Sequence, residues 1–226
     1  SGENVKILID GVPVIGRLDG NIDLSQINLN DVEQIEVIEG PQSVSYGTNA
    51  LAGTINIITK KDQDHPLELG IETYYENVGK YNMDGKIGYK KNRHYISVSG
   101  GRNYFDGWNN QDPAFKNGEA IANDSRLKQW KPKEQFFGGI QYNYKINDWN
   151  LRWKSDLFFE KITNKGLPRP PYFETAFDDY YHTKRFDNAL FASGKTKKGN
   201  NLNFIISYNQ FQRIKNTYYI DLTTLE

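Results

Sequence analysis

Side chains able to do covalent or metal chemistry are sparse in this chain, and their spacing argues against catalysis. Cysteine is absent, so a thiolate nucleophile, a disulfide framework and a thiolate metal site are all excluded. His65, His94 and His182 are the only histidines, and no metalloprotease spacing links them. No Gly-x-Ser-x-Gly elbow and no phosphate-cradling glycine loop occurs. Glu36 and Glu39 form a carboxylate pair, but three residues apart on an extended segment they point to opposite faces. Shared acid/base work is therefore disfavoured, and pairing with basic side chains is the better role. An enzyme is not expected.

Two binding constellations remain. Tyr180-Tyr181-His182 lies in a segment that reads as a loop (Thr163 to Lys184), and Tyr and His both serve as axial haem ligands. An exposed aromatic cluster explains the same residues more plainly. In the other long polar segment, Gly107 to Pro132, Trp108 offers an aromatic face. Asp106, Asn109, Asn110, Asp112, Asn123 and Asp124 there, or just before it, offer oxygens of the kind calcium takes. They fit no EF-hand spacing, and ordinary loop polarity accounts for them.

The totals narrow the setting. Lys+Arg and Asp+Glu are both 28, which gives no bulk electrostatic reason to bind nucleic acid. Mean hydropathy is -0.73 and no long apolar run exists, so no transmembrane helix is expected. A membrane barrel stays open, because its strands alternate lipid-facing apolar with lumen-facing polar residues and average out as hydrophilic. Of 31 aromatic residues only Tyr46 precedes Lys61, and residues 1–61 hold four basic and eight acidic side chains. A small acidic domain (1–61), a linker (62–66) and an aromatic-rich domain (67–226) follow from that shift. SGENVKIL has no basic region or apolar core followed by a cleavage site, so no signal peptide is expected and the chain reads as an internal segment.

In the first part, Val5 to Asp10 reads as a strand, Asp10-Gly11 as a turn, and Val12 to Val14 as a second extended piece. Ile15 to Asn21 reads as a polar loop. Asp23-Leu24-Ser25-Gln26 and Asn30-Asp31-Val32-Glu33 each read as a capped helical turn. Then comes VEQIEVIEGPQSVSYGTNALAGTINIITKK, residues 32–61: a strand stopped at Gly40-Pro41, a loop of small residues, and a returning β-branched strand from Thr54 to Thr59. The string Glu36-Val-Ile-Glu-Gly-Pro41, Ser45-Tyr46-Gly47, Ala50, Gly53 and Ile55-Asn-Ile-Ile-Thr-Lys60 resembles the end of the plug domain of TonB-dependent outer-membrane receptors. The order around it, including Asp-Leu-Ser-Gln, is similar to the vitamin B12 and haem receptor branch.

That resemblance implies a partial α/β plug followed by the first strands of a transmembrane β-barrel. Ile15 to Asn21 and Gln42 to Gly53 would be apical loops touching cargo, through Arg17, Asp19, Asn21, Ser43, Ser45, Tyr46, Thr48 and Asn49. Trp108, Tyr180, Tyr181 and His182 would add outer-loop contacts, and Glu36 and Glu39 would latch the plug to basic wall residues. It also implies no resident cofactor, with cargo that is a corrinoid, haem or ferric siderophore, and a Gram-negative outer membrane as the location. The implied partners are outer-membrane lipid, a surface lipoprotein, and the TonB-ExbB-ExbD complex acting through a segment preceding the plug.

The second part agrees with this. From Leu67 the pattern is period 2 for about seven strands of roughly ten residues each. Short turns at Lys91-Asn92-Arg93, Asn147-Asp148 and Lys198 to Asn201 alternate with long connections, as in outer-membrane barrels; the short Asn77 to Lys80 is the exception. Tyr81, Tyr89, Tyr144, Trp149 and Tyr208 would form interfacial girdles. A secreted all-β binding module, carbohydrate-directed, would share the alternation but not the string in residues 36–60.

Overall fold

The computed structural model describes residues 5–16, 22–28, 31–39, 53–61, 65–109, 126 and 128–224. Two sheets carry the fold. The small one orders its strands β2-β1-β4-β3, from β1 (Val5–Ile9), β2 (Val12–Pro13), β3 (Val32–Ile38) and β4 (Gly53–Thr59). β1 and β4 run parallel, Ile7 beside Ile55, while β3 returns antiparallel to β4. Central β4 is the most buried strand of the described residues, as its near-continuous β-branched run requires. Ile7, Ile27 and Ile57 form the core, flanked by Ile9, Val14, Ile22, Val32 and Ile55.

Local chemistry sets the connections. β1 and β2 meet through the two-residue turn Asp10-Gly11, with φ of 52° and 82°. Two positive φ values are what a type I′ hairpin turn demands, and Asp-Gly is among the sequences that supply them. Asp23 caps a single 3₁₀ turn, Leu24–Gln26, accepting from the Ser25 amide at 3.0 Å and the Ser25 hydroxyl at 2.7 Å. Of the expected second helical turn at Asn30 to Glu33, Asn30 lies outside the described residues, and Val32 and Glu33 belong to β3 instead. There the ladder to β4 and the β-branched Val32, Ile35 and Val37 outweigh local capping. The helical content expected of an α/β unit is thus reduced, among the described residues, to that 3₁₀ turn.

The large sheet is a seven-stranded antiparallel meander, β5 to β11 in sequence order: β5 (Leu67–Glu76), β6 (Lys80–Lys91), β7 (His94–Phe105), β8 (Lys133–Ile146), β9 (Trp149–Lys165), β10 (Thr175–Lys195) and β11 (Asn201–Asp221). Turns at Asn92-Arg93, Asn147-Asp148 and 196–200 lie at one end and the longer connections at the other. The strands are not uniform: β9 has 17 residues and β10 and β11 have 21 each. The loop expected from Thr163 to Lys184 shrinks accordingly to residues 166–174. Alternation fades in the outer part of β10, where Asp178-Asp179 and Tyr180-Tyr181 put like residues on both faces, so period 2 could not report a strand there.

Burial in this sheet is inverted relative to a soluble sandwich. One row crossing it reads Lys86, Ser99, Gly139, Asp156 and Asp187. The neighbouring row on the opposite face begins Ile87, Val98 and Ile140. The apolar face is the exposed one, with Leu69 at 69%, Ile71 at 80% and Met83 at 62%, whereas Gln135, Gln141, Asn143, Arg152, Glu160, Thr183 and Arg185 on the other face are buried. What covers that polar face is the small sheet. Gly16 packs directly on the Phe211 ring, and Gly11 sits beside Ile205.

Gly11→Ala is expected to cost about 1–2 kcal/mol, since an L residue is strained at this positive φ, while Gly11→Asn loses less because Asn tolerates the left-handed region. Chemical-denaturation midpoints of the two variants test this; equal losses would show that space beside Ile205, not backbone conformation, decides the position.

Candidate functional site

The small sheet is held to the polar face of the large one by three groups of contacts. Nearest the short-turn end, Asp10 receives the Thr59 amide at 2.9 Å and the Thr59 hydroxyl at 2.6 Å. The same carboxylate faces Arg152 Nη1 at 3.2 Å and Lys154 Nζ at 4.0 Å, all from below one-eighth side-chain exposure. The Asp10–Arg152 contact is an ion pair off the line of a hydrogen bond, leaving Nη1 without a hydrogen-bond acceptor. The Arg152 guanidinium stacks 4.1 Å from the Phe191 ring centre. Gln141 and Asn143 also donate to the Lys61 carbonyl.

Nearer the long-connection end, the 3₁₀ turn is clamped by side chains of β8 to β10. Gln26 donates to Glu160 at 2.9 Å, and Glu160 also accepts from Gln135 at 2.8 Å and Thr183 at 3.2 Å. Arg185 donates to the Gln26 carbonyl at 2.8 Å. A buried carboxylate is tolerable here because hydrogen bonds surround it, with Arg213 3.9 Å away. The third group is on β6: Lys86 pairs with Asp31 at 2.6 Å, and Asn28 donates to Asp84 at 3.1 Å.

Beside this clamp lies a cavity of about 1010 Å³. Its floor is the 3₁₀ turn and following residues (Leu24, Ser25, Ile27, Asn28), and its walls are the long-connection ends of β5 to β8. Tyr74, Tyr104, Phe105, Trp108 and Trp130 supply aromatic surface, and Asn82, Asn103 and Gln135 supply amides. Trp108 and Trp130 close the base of the connection between β7 and β8: their backbones exchange two bonds of 3.0 and 2.9 Å and their rings lie 4.7 Å apart. Glu72, Glu76, Lys80, Asp84, Lys131 and Lys133 also line it, so a volume of this size with aromatic walls and many polar groups suits a small polar organic ligand.

The expected site residues fare unequally. Arg17, Asp19, Asn21, Ser43, Ser45, Tyr46, Thr48 and Asn49 lie outside the described residues. Trp108 lines the cavity. Tyr180, Tyr181 and His182 are on strand β10, not in a loop, so the pleat sends Tyr181 to the face opposite its two neighbours. Tyr181 meets Arg213 and Lys215, and Tyr180 meets Lys161 and Tyr218. Three consecutive residues of a strand cannot converge on one iron. Glu36 accepts from Asn56 at 3.1 Å and Gln34 at 3.3 Å, both within the small sheet, and Glu39 is exposed. Asp106 and Asn109 are engaged at the base of their loop, with Lys128 at 3.4 Å and the Gln129 amide at 2.6 Å; Asn110, Asp112, Asn123 and Asp124 lie outside the described residues.

Asp10, Gln26, Asp31, Arg152, Lys154, Glu160 and Arg185 were not singled out by sequence reasoning. Their polar character at alternate positions of β9 and β10 is legible; their partners are not, since contacts such as Gln26–Glu160 join residues 134 apart.

A small mixed sheet seated on the wet face of an outward-greasy antiparallel wall defines the class: a plugged barrel wall. Residues 1–54 match the family model of the TonB-dependent Receptor Plug Domain. The chain shares its fold with the siderophore receptor PirA from Pseudomonas aeruginosa (TM-score 0.61, 17% identity, 94% of this chain and 34% of that one). It also matches the ferric citrate transporter FecA in its unliganded form (0.58, 13%, 98% and 40%) and the copper transporter OprC (0.56, 12%, 100% and 41%). The match to the plug model is confined to residues 1–54, the solved structures share the fold with this chain, and the chain spans between a third and about two fifths of their length.

Arg152→Ala is expected to destabilise the plug–wall contact by about 1–3 kcal/mol, because Asp10 keeps only the more distant Lys154 and its hydrogen bonds from Thr59. Adding Asp10→Ala should cost less than the two single losses combined, read from denaturation midpoints as a double-mutant cycle. Strict additivity would show that the pair is not coupled.

Proposed function

We propose that this chain is the plug and first wall strands of a receptor that binds a scarce nutrient outside the outer membrane and imports it into the periplasm. The observation that carries this reading is the inverted sheet: apolar side chains face outward along every wall strand, and polar ones are buried against the plug. A secreted β-sandwich would turn its apolar face inward. Lipid is the surrounding that makes the observed arrangement stable.

In this reading the long connections lie outside the cell and the short turns in the periplasm. The cavity above the 3₁₀ turn is then the vestibule, with Trp108 and Trp130 as aromatic contacts and the loops around Arg17, Asp19, Asn21, Ser43, Ser45, Tyr46, Thr48 and Asn49 completing the cargo site. Import is energised by TonB-ExbB-ExbD pulling on the plug, and a surface lipoprotein is a further candidate partner. The cargo is a corrinoid, haem or a ferric siderophore. Solved structures of similar fold include siderophore receptors, and the Asp23-Leu24-Ser25-Gln26 order favours the first two.

A binding panel of cobalamin, haemin and ferric siderophores on the full-length receptor selects the cargo, and uptake that persists in cells lacking TonB would sink the transport reading. Trp108→Ala or Trp130→Ala should weaken binding of the selected cargo about tenfold or more, as loss of an aromatic anchor typically does. Independently, Leu157→Arg on the outward face should lower stability in vesicles by about 2–4 kcal/mol if the position lies near mid-membrane. A neutral effect would argue that this face does not meet lipid.

A further inference from the structure

The charged side chains that line the cavity above the 3₁₀ turn are sorted by strand. Glu72, Glu76, Lys80 and Asp84 come from β5 and β6, and Lys131 and Lys133 from the entry to β8. Glu76 and Lys80 neutralise each other at 3.0 Å. What remains is a carboxylate pole on one wall and an ammonium pole on another. Glu72 and Asp84 are direct partners in the ladder between β5 and β6, and like charges so placed repel unless a cation joins them. The next cation along β6, Lys86, is already held by Asp31 and Glu68. Among the described residues no cation pairs with Glu72, and no carboxylate pairs with Lys131 or Lys133.

The cavity floor sets the distance between the poles. Asp84 accepts from the Asn28 amide at 3.1 Å, and the Lys133 amine donates to the Ser25 hydroxyl at 2.8 Å. Ser25 and Asn28 are joined by only two intervening residues, which limits their separation to about 10 Å. Side-chain amides run between the poles. Asn82, Asn103 and Gln135 are successive partners in one row across β6, β7 and β8, and all three line the cavity. Asp84 is the next inward position along β6 and Lys133 the next along β8, so the row passes from one pole towards the other. The Asn82 carbonyl oxygen is buried without a hydrogen-bond partner among the described residues, an acceptor still lacking its donor.

We propose that this cavity selects a dipolar, peptide-like cargo, with its cationic end against Glu72 and Asp84, its anionic end against Lys131 and Lys133, and its amides on the row from Asn82 to Gln135. The inference rests on the receptor reading above and narrows its cargo. A span of about 10 Å is that of about three residues of extended chain. Side-chain amides offer both donors and acceptors, which is what a peptide group needs on each side. Their spacing across the sheet, about 4.8 Å per strand, brings several within reach of one short chain. Trp108, Trp130 and Phe105 leave apolar surface for its side chains. An apolar or singly charged cargo would leave one pole or the amide row unpaired. A free peptide and a siderophore built on a peptide present the same chemistry, and the iron dependence of binding separates them.

The test is calorimetric binding of the tripeptide glycyl-tyrosyl-glycine to the full-length receptor, against forms capped by N-acetylation or by C-amidation. Each cap should weaken binding roughly threefold or more, as loss of one partly exposed ion pair does. Glu72→Gln should shrink the effect of acetylation and leave that of amidation, and Lys131→Gln with Lys133→Gln should do the reverse. No binding of the uncapped peptide at millimolar concentration, capped forms that bind as well as it does, or cap effects unchanged in the variants would overturn the proposal. Lys133 also holds Ser25 on the plug, so should the lysine variant fail to fold, the caps on wild type and on Glu72→Gln decide alone. A tripeptide with N-acetyl-N-hydroxyornithine at its centre, measured with and without ferric iron, assigns the source: tighter binding of the ferric form points to a siderophore, equal or weaker binding to a free peptide. TonB-dependent uptake of cobalamin, haemin or a ferric siderophore without any peptide binding would defeat only this inference. Peptide binding by a receptor whose uptake persists without TonB would defeat the transport reading and leave the site.

Discussion

Seven paired strands whose pleat sends alternate side chains to opposite faces impose the constraint on which everything else here depends. With the middle of the outward face apolar, the polar and charged side chains of that part of the wall point the other way, where buried charges need partners. Arg152, Lys154, Glu160 and Arg185 find part of their partners within their own sheet, in Phe191, Asp156, Gln135, Thr183 and Asp187. The plug supplies others through Asp10, Gln26 and the carbonyl of Gln26. Ile7, Leu8, Val12, Ile27 and Ile57 in the small part are five of the eight buried apolar residues among those described, and its core is centred on Ile7, Ile27 and Ile57. Its attachment to the wall is chiefly polar.

Polar attachment differs physically from an apolar one. An apolar seam between plug and wall would hold through area alone and resist separation everywhere at once. Hydrogen bonds and ion pairs can be exchanged for water one at a time wherever water reaches them, at a net cost well below their strength in a dry medium. The 3₁₀ turn lies between two surroundings. Leu24, Ser25, Ile27 and Asn28 line the cavity, while Gln26 between them reaches into the Glu160 clamp. One short segment thus meets both the vestibule and the wall.

Much of this was legible beforehand and some was not, for identifiable reasons. The Asp10-Gly11 turn, the returning strand from Thr54 and the alternation through β5 to β9 depend on residues close in sequence, and all appear where local rules place them. The length of β10 did not, because the outer part of that strand has polar or amphipathic residues on both faces and loses its period. Asn30 to Glu33 misled for the opposite reason: good capping residues were overruled by a ladder to β4, a strand more than twenty residues away.

By itself the sequence determined that the chain is a β protein in two parts, that its second part has one greasy and one wet face, that it lacks the residues for catalysis by thiolate or clustered histidines, and, through the string from Glu36 to Lys60, which family it resembles. Each of these is a property of residue type and short-range spacing. Tertiary structure alone decided which charges meet, that Glu160 sits in the clamp on Gln26 while Glu36 bonds within its own sheet, and that Trp130 joins Trp108. Those facts depend on pairings across tens to more than a hundred residues, which the register of the sheet and the seating of the plug determine and no local pattern encodes.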